Sequence, residues 1–187
     1  MSVKASEYYR IYDNFLLPEE AQGIEEALRV NELPNHNTGN SSDSDSSPIL
    51  HGPQEKLLIS RVEELFNSEN TVPFPDIFPF NNIDGEKGIT IVVTNHQNAN
   101  GTDGPTPESV KASFYYYPIV LWEPRWGGEI FIKSEEMDGF GTFVSPKPNR
   151  LVIIKSGVEV EVKNPEKIRG SIWSLITVDG MILGRAS

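Results

Sequence analysis

Tyr115-Tyr116-Tyr117-Pro118, followed after Ile119-Val120-Leu121 by Trp122-Glu123-Pro124-Arg125-Trp126-Gly127-Gly128-Glu129-Ile130-Phe131, is the stretch that decides the fold. Aromatic and β-branched residues crowded together favour a pleated, buried strand, here over about 112–120. Gly127-Gly128 permits backbone torsions closed to other residues, as a chain needs where it enters a tight corner. A second strand then reads over 129–133.

Working outward, short β-branched or aromatic runs separated by turn residues continue on both sides: 89–94, 141–144, 150–155, 158–162 and 171–178. The run Val158-Glu159-Val160-Glu161-Val162 alternates cleanly, with valines on one face and glutamates on the other. Before these runs, 8–17 reads as a strand ending in an Asp13-Asn14 turn. Pro18-Glu19-Glu20 then opens a helix, because proline suits the first turn and carboxylates suit the positive end of the helix dipole. Ala21, Ile24 and Leu28 carry that helix to about residue 30. A second amphipathic helix reads over 53–66, with Leu57, Leu58, Val62, Leu65 and Phe66 on one side. Between the helices, 35–48 is rich in Ser, Asn, Asp and Gly and reads as a flexible loop, too polar to repay the entropy of ordering.

Two helices followed by a series of short strands predict a mainly β domain, a sandwich or barrel with the helices packed outside. The 187 residues make one domain, 1–187. The net charge of −11 disfavours nucleic acid and anionic membrane surfaces, whose phosphates demand Lys and Arg, but leaves room for a local basic pocket. No cysteine is present, which removes disulfides, thiolate metal sites and cysteine nucleophiles. No apolar run approaches a membrane span, and Met1 to Glu7 lacks the apolar stretch of a signal peptide. The expected location is the cytoplasm.

The Tyr115–Pro118 strand, Trp122 and the Trp126-Gly127-Gly128-Glu129 corner resemble the corresponding segment of prolyl-4-hydroxylase-like 2-oxoglutarate/Fe(II) oxygenases, including small bacterial and phage members. Pro146-Lys147-Pro148-Asn149-Arg150-Leu151-Val152 resembles that family's "P-x-P-x-R-L-V" strand. Arg169-Gly170-Ser171 resembles its "R-x-S" pair, and Ile11-Tyr12-Asp13-Asn14-Phe15-Leu16 before a helix matches its opening. The resemblance covers about residues 8–30 and 88–178. It implies a double-stranded β-helix, or jelly-roll, and a pocket in which Arg169 and Ser171, with Tyr116 or a neighbouring tyrosine, take the distal carboxylate of 2-oxoglutarate. Arg169 and Ser171 are two apart, so a strand would put both on one face, and a buried guanidinium there would seek a carboxylate.

The resemblance also implies an iron site of His-x-Asp on one strand and a second histidine later, with positions left open for substrate and oxygen. Counted back from the tyrosine strand, the first motif falls on Gly101-Thr102-Asp103, which keeps the carboxylate and replaces the histidine; a shifted alignment gives Thr106-Pro107-Glu108. The second histidine, nine residues before Arg169, falls on Val160. His96 is the candidate substitute ligand beside Asp103, while His36 and His51 lie in or next to the polar loop. One carboxylate with water is a poor Fe(II) site, which needs nitrogen donors.

Three readings follow. The first is an oxygenase-like protein with a degenerate metal site, non-catalytic or repurposed to bind a small carboxylate or a protein or peptide partner. The second is an active 2-oxoglutarate-dependent hydroxylase with a rearranged ligand set. The third is a structural β-sandwich protein of an assembly. The expected cofactor is 2-oxoglutarate, with Fe(II) in doubt.

Overall fold

The computed structural model describes residues 2–32, 50, 52–67, 74, 88–95, 110–118, 122, 126–133, 140–163 and 176–183. In chain order these form β1 (Ser2–Ala5), β2 (Tyr9–Asp13), α1 (Pro18–Glu32), α2 (Pro53–Asn67), β3 (Ile89–Asn95) and β4 (Val110–Tyr117). They continue with β5 (Ile130–Lys133), β6 (Gly141–Val144), β7 (Arg150–Lys155), β8 (Val160–Val162) and β9 (Ile176–Leu183).

The strands make two antiparallel sheets: a six-stranded one in the order β1-β2-β7-β4-β9-β3, and a three-stranded one in the order β6-β5-β8. From β4 onward the chain alternates between them, crossing to β5 and β6, back to β7, over to β8 and back to β9. This is the jelly-roll expected, with the two helices outside.

Away from the exposed edge strand β1, the large sheet packs on both faces, which divides the core in two. Its outer face packs Tyr12, Phe114, Tyr116, Leu151, Ile153, Val178 and Ile182 against Ile24 and Leu28 of α1 and Leu58, Val62, Leu65 and Phe66 of α2. Each fully buried aliphatic or aromatic side chain contributes roughly 1.5–3 kcal/mol. Its inner face packs Tyr9, Ile11, Tyr115, Tyr117, Val152 and Ile154 against Ile130, Ile132 and Val144 of the small sheet.

Local chemistry fixes the ends of these elements. Pro18 opens α1 with Glu19 and Glu20 in its first turn, and the Glu20 carboxylate reaches back to accept from the Leu17 N–H at 3.0 Å. Arg61 of α2 donates to the same carboxylate through Nε at 3.1 Å and Nη2 at 2.5 Å, tying the helices together. Gly127 and Gly128 have φ of 78° and 79°, the left-handed torsions expected where the chain turns from the large sheet into the small one.

Three differences from the sequence expectation stand out. β1 has no counterpart in it, because an edge strand exposed at every position carries no hydrophobic alternation. β9 continues to Leu183, five residues past the expected end at 178, while 171–175 lie outside the described residues. The strand over 8–17 is shorter, since Asn14 takes a left-handed φ of 54° and turns the chain toward α1.

Candidate functional site

Period-two alternation decides which tyrosines of β4 can serve a pocket between the sheets. Phe114 and Tyr116 point to the helices, so Tyr115 and Tyr117 point inward. The expectation that Tyr116 lines the interior pocket is therefore corrected. Its ring is buried in the helix-side core, edge-on to Phe15 at 6.4 Å, and its hydroxyl lies 3.4 Å from Asn149 Oδ1. Both faces of β4 are covered, so the same aromatic residue suits either one.

The neighbouring tyrosines occupy the interior. Tyr117 is buried at 1% exposure. Its cross-strand partner on β7 is Arg150, whose own partner on β2 is Asp13, itself paired with Ser2 on β1. One row of side-chain positions thus runs Ser2, Asp13, Arg150, Tyr117 across four strands. On the other side of β4, Tyr115 pairs with Asp179 of β9, and the Thr177 hydroxyl donates to Asp179 Oδ1 at 2.5 Å. Thr177 is buried at 1%. Facing this wall, Val158, Val160 and Val162 pack on the inner core, while Glu159 and Glu161 are exposed. The alternation read from the sequence is present.

Burial pushes the Tyr117 phenol well above its ordinary range, and the nearby Asp179, Tyr115 and Glu129 add to this while Arg150 opposes it. Tyr117 therefore stays protonated at neutral pH and can donate a hydrogen bond from inside the jelly-roll. Asp13 goes the other way. Arg150 donates to it from Nε at 2.7 Å and Nη2 at 3.1 Å, and Lys147 from Nζ at 2.8 Å. The Arg150 hydrogen bond leads in holding its carboxyl below the ordinary range, with burial opposing. The third arm of Arg150, Nη1, donates to the Ser145 carbonyl at 2.7 Å.

At the corner into the small sheet, Trp122 Nε1 donates to the Gly127 carbonyl at 2.9 Å, and its ring meets Trp126 edge-to-face at 5.2 Å. Beside it, Glu129 Oε2 is buried with no hydrogen-bond partner among the described residues and lies 3.9 Å from Lys163 Nζ.

Arg169, Ser171, Asp103 and His96 lie outside the described residues, as does the polar loop over 35–48. Val160, where the resemblance puts the second iron-binding histidine, is described and does not fit that role. It presents only carbon atoms to the interior and packs with apolar neighbours. No group of three or more metal-binding side chains occurs among the described residues.

Sequence reasoning reached Tyr117 only as a neighbour of Tyr116, and did not single out Thr177, Asp179 or Glu129. The signal for Tyr117 was parity, because the apolar Ala112 and Phe114 fix the helix-side register once the helices are placed. Asp179-Gly180 reads as a turn, which ended the strand before its inward carboxylate.

No protein-family model and no curated protein matches the sequence. Solved structures do match in fold. A prolyl hydroxylase from Trichoplax adhaerens, solved with a hypoxia-inducible-factor peptide fragment, is 13% identical with a TM-score of 0.66, over 96% of this chain and 84% of that one. A Pseudomonas putida prolyl-4-hydroxylase is 15% identical with a TM-score of 0.60, over 97% of this chain and 95% of that one. A viral collagen prolyl hydroxylase from Paramecium Bursaria Chlorella virus-1, solved as a 2OG complex, is 14% identical with a TM-score of 0.54, over 97% and 98%. The fold is that of these prolyl hydroxylases. Fold alone does not carry chemistry.

Proposed function

We propose that this chain is a 2-oxoglutarate oxygenase-like protein whose metal site has degenerated, and that it binds a small carboxylate between its sheets without oxidising it. The observation that carries the reading is Val160, a residue with no donor atom at the position where the resemblance puts an iron ligand, packed against the inner core. Valine there is apolar filling, which stabilises the sandwich at the expense of a metal.

On this reading the interior keeps the carboxylate-binding half of the site and loses the redox half. Tyr117, held protonated, donates to the distal carboxylate of 2-oxoglutarate, and Arg169 supplies the charge with Ser171 beside it. Lacking chelation of its keto-acid end, the ligand binds weakly. A peptide is the alternative partner, since the Trichoplax adhaerens prolyl hydroxylase was solved in complex with one. The proposed setting is the cytoplasm; no helix among the described residues is long and apolar enough to cross a membrane.

The test is metal content after anaerobic Fe(II) loading and desalting, with calorimetry of 2-oxoglutarate on wild type and Arg169→Ala. Little retained iron together with weak heat that disappears in Arg169→Ala is the expected result. Stoichiometric iron would overturn it in favour of an active hydroxylase using His96 and Asp103, the reading that the whole-chain likeness of fold to prolyl hydroxylases supports.

A further inference from the structure

Among the described residues the large sheet has six strands and the small sheet three, and the inner face of the large sheet is not covered throughout. The uncovered part is at β1. Ser2 and Lys4 are the cross-strand partners of Asp13 and Ile11, and so share the inward face with them, yet both remain exposed. Between β1 and β6, the end strand of the small sheet among the described residues, opens a cavity of about 270 Å3. Arg150, Asp13 and Ser145 line it together with Ser2 and Lys4. Ile11 and Val144 add an apolar wall.

Its charge runs against the rest of the protein. The chain carries a net −11, but Asp13 is the single acidic side chain in the cavity wall among the described residues. That carboxylate is already spent twice, on Arg150 and on Lys147. Lys4, on the same wall, forms no ion pair among the described residues. Arg150 uses three of its five N–H groups on Asp13 and Ser145, and its side chain is 16% exposed. Arg150, with two N–H groups that no hydrogen bond among the described residues uses, and Lys4 therefore line a small concavity with an apolar side.

We propose that this cavity binds a small organic anion, with a carboxylate or phosphate held between Lys4 and Arg150 and a short apolar group resting on Ile11 and Val144. The volume lies just under the usual range for small-molecule pockets, which limits the ligand to a compact one. The Asp13–Arg150 pair serves as the fixed floor. With its plane set by a bidentate carboxylate, the guanidinium loses little freedom on taking a second anion. The site lies two strands from β9 along the sheet, and it stands whether or not the Tyr117 interior binds 2-oxoglutarate.

The experiment is amide chemical-shift mapping of the full chain with phenylacetate, phenyl phosphate and the uncharged phenylacetamide. Either anion should shift the amides of Ser2, Lys4, Val144 and Ser145, while phenylacetamide should not. Lys4→Glu, at an exposed edge where the unliganded spectrum reports the fold directly, should weaken binding by about tenfold or more. The stronger anion identifies the preferred head group. Equal binding by Lys4→Glu, equal binding of phenylacetamide, shifts confined to β4 and β9, or no shift with either anion would each overturn the site. Titration with 2-oxoglutarate reports separately on the interior through the amides of Tyr117 and Val178.

Discussion

Asn149 turns both ends of its carboxamide onto the backbone of Leu16: Nδ2 donates to the Leu16 carbonyl at 2.8 Å, and Oδ1 accepts from the Leu16 N–H at 2.9 Å. Its own backbone joins the same corner, accepting from Phe15 N–H at 3.0 Å and donating to the Tyr117 carbonyl at 2.9 Å. One residue thus fastens the entry to α1, the start of β7 and the end of β4. It holds a left-handed φ of 54°, which asparagine tolerates and alanine does not.

Two costs separate in a substitution series there. Asn149→Gly removes the carboxamide but keeps the torsion, and should cost about 2 kcal/mol for the lost pair of hydrogen bonds. Asn149→Ala adds left-handed strain of about 1–2 kcal/mol. Urea denaturation should rank wild type above glycine and glycine above alanine. Alanine equal to glycine would mean that the torsion relaxes in the variant.

Asp13 and Arg150 should shape the acid limb of stability. Arg150, with Lys147 behind it, lowers the Asp13 pKa in the folded state. A depressed carboxyl gives stability that is fully present above the unfolded value of about 4 and is lost as pH falls through the folded value. Between about pH 5 and about pH 2, wild type should therefore lose more stability than Asp13→Asn, whose amide does not titrate. Urea midpoints at the two pH values give the comparison. Parallel losses in both proteins would remove Asp13 from the acid transition.

Gly180 is the cross-strand partner of Phe114, and a Cβ placed on it would lie 2.2 Å from the Phe114 ring. The ring therefore lies over the bare backbone, and Gly180→Ala should cost about 1–3 kcal/mol by overpacking. Phe114→Leu makes room, so the double variant should be more stable than the two single losses added together, by about 0.5–3 kcal/mol. Strict additivity would place the clash elsewhere.

That pair also explains why the last strand was misjudged from sequence. Val178-Asp179-Gly180 has the composition of a turn, but Gly180 is there to admit a ring, and Asp179 points inward beside Tyr115. The helices were legible because proline, first-turn carboxylates and helical spacing act locally. So was β8, whose glutamates face water and whose valines face the core. The facing of β4 was not, because alternation is visible only where one face meets solvent. Tyr115, Tyr116 and Tyr117 all sit on a strand covered by helices on one side and by a sheet on the other.

The facing of these tyrosines yields the sharpest test of the interior site. Tyr116 and Tyr117 are adjacent, both nearly inaccessible, and both have phenols raised by burial. They differ in the side of the sheet they occupy. If a small carboxylate binds between the sheets, the Tyr117 hydroxyl is the donor within the jelly-roll, and Tyr117→Phe removes one hydrogen bond to a charged acceptor. That should weaken 2-oxoglutarate binding by about ten- to a hundredfold, equivalent to roughly 1.5–3 kcal/mol. Tyr116→Phe removes only the long contact to Asn149 on the helix side, so its affinity should match wild type while its stability falls slightly. Calorimetry on both variants, with urea denaturation as the control for folding, reads the two faces independently. Loss of binding in Tyr116→Phe with retention in Tyr117→Phe would move the ligand to the helix side, and the interior would then be core alone.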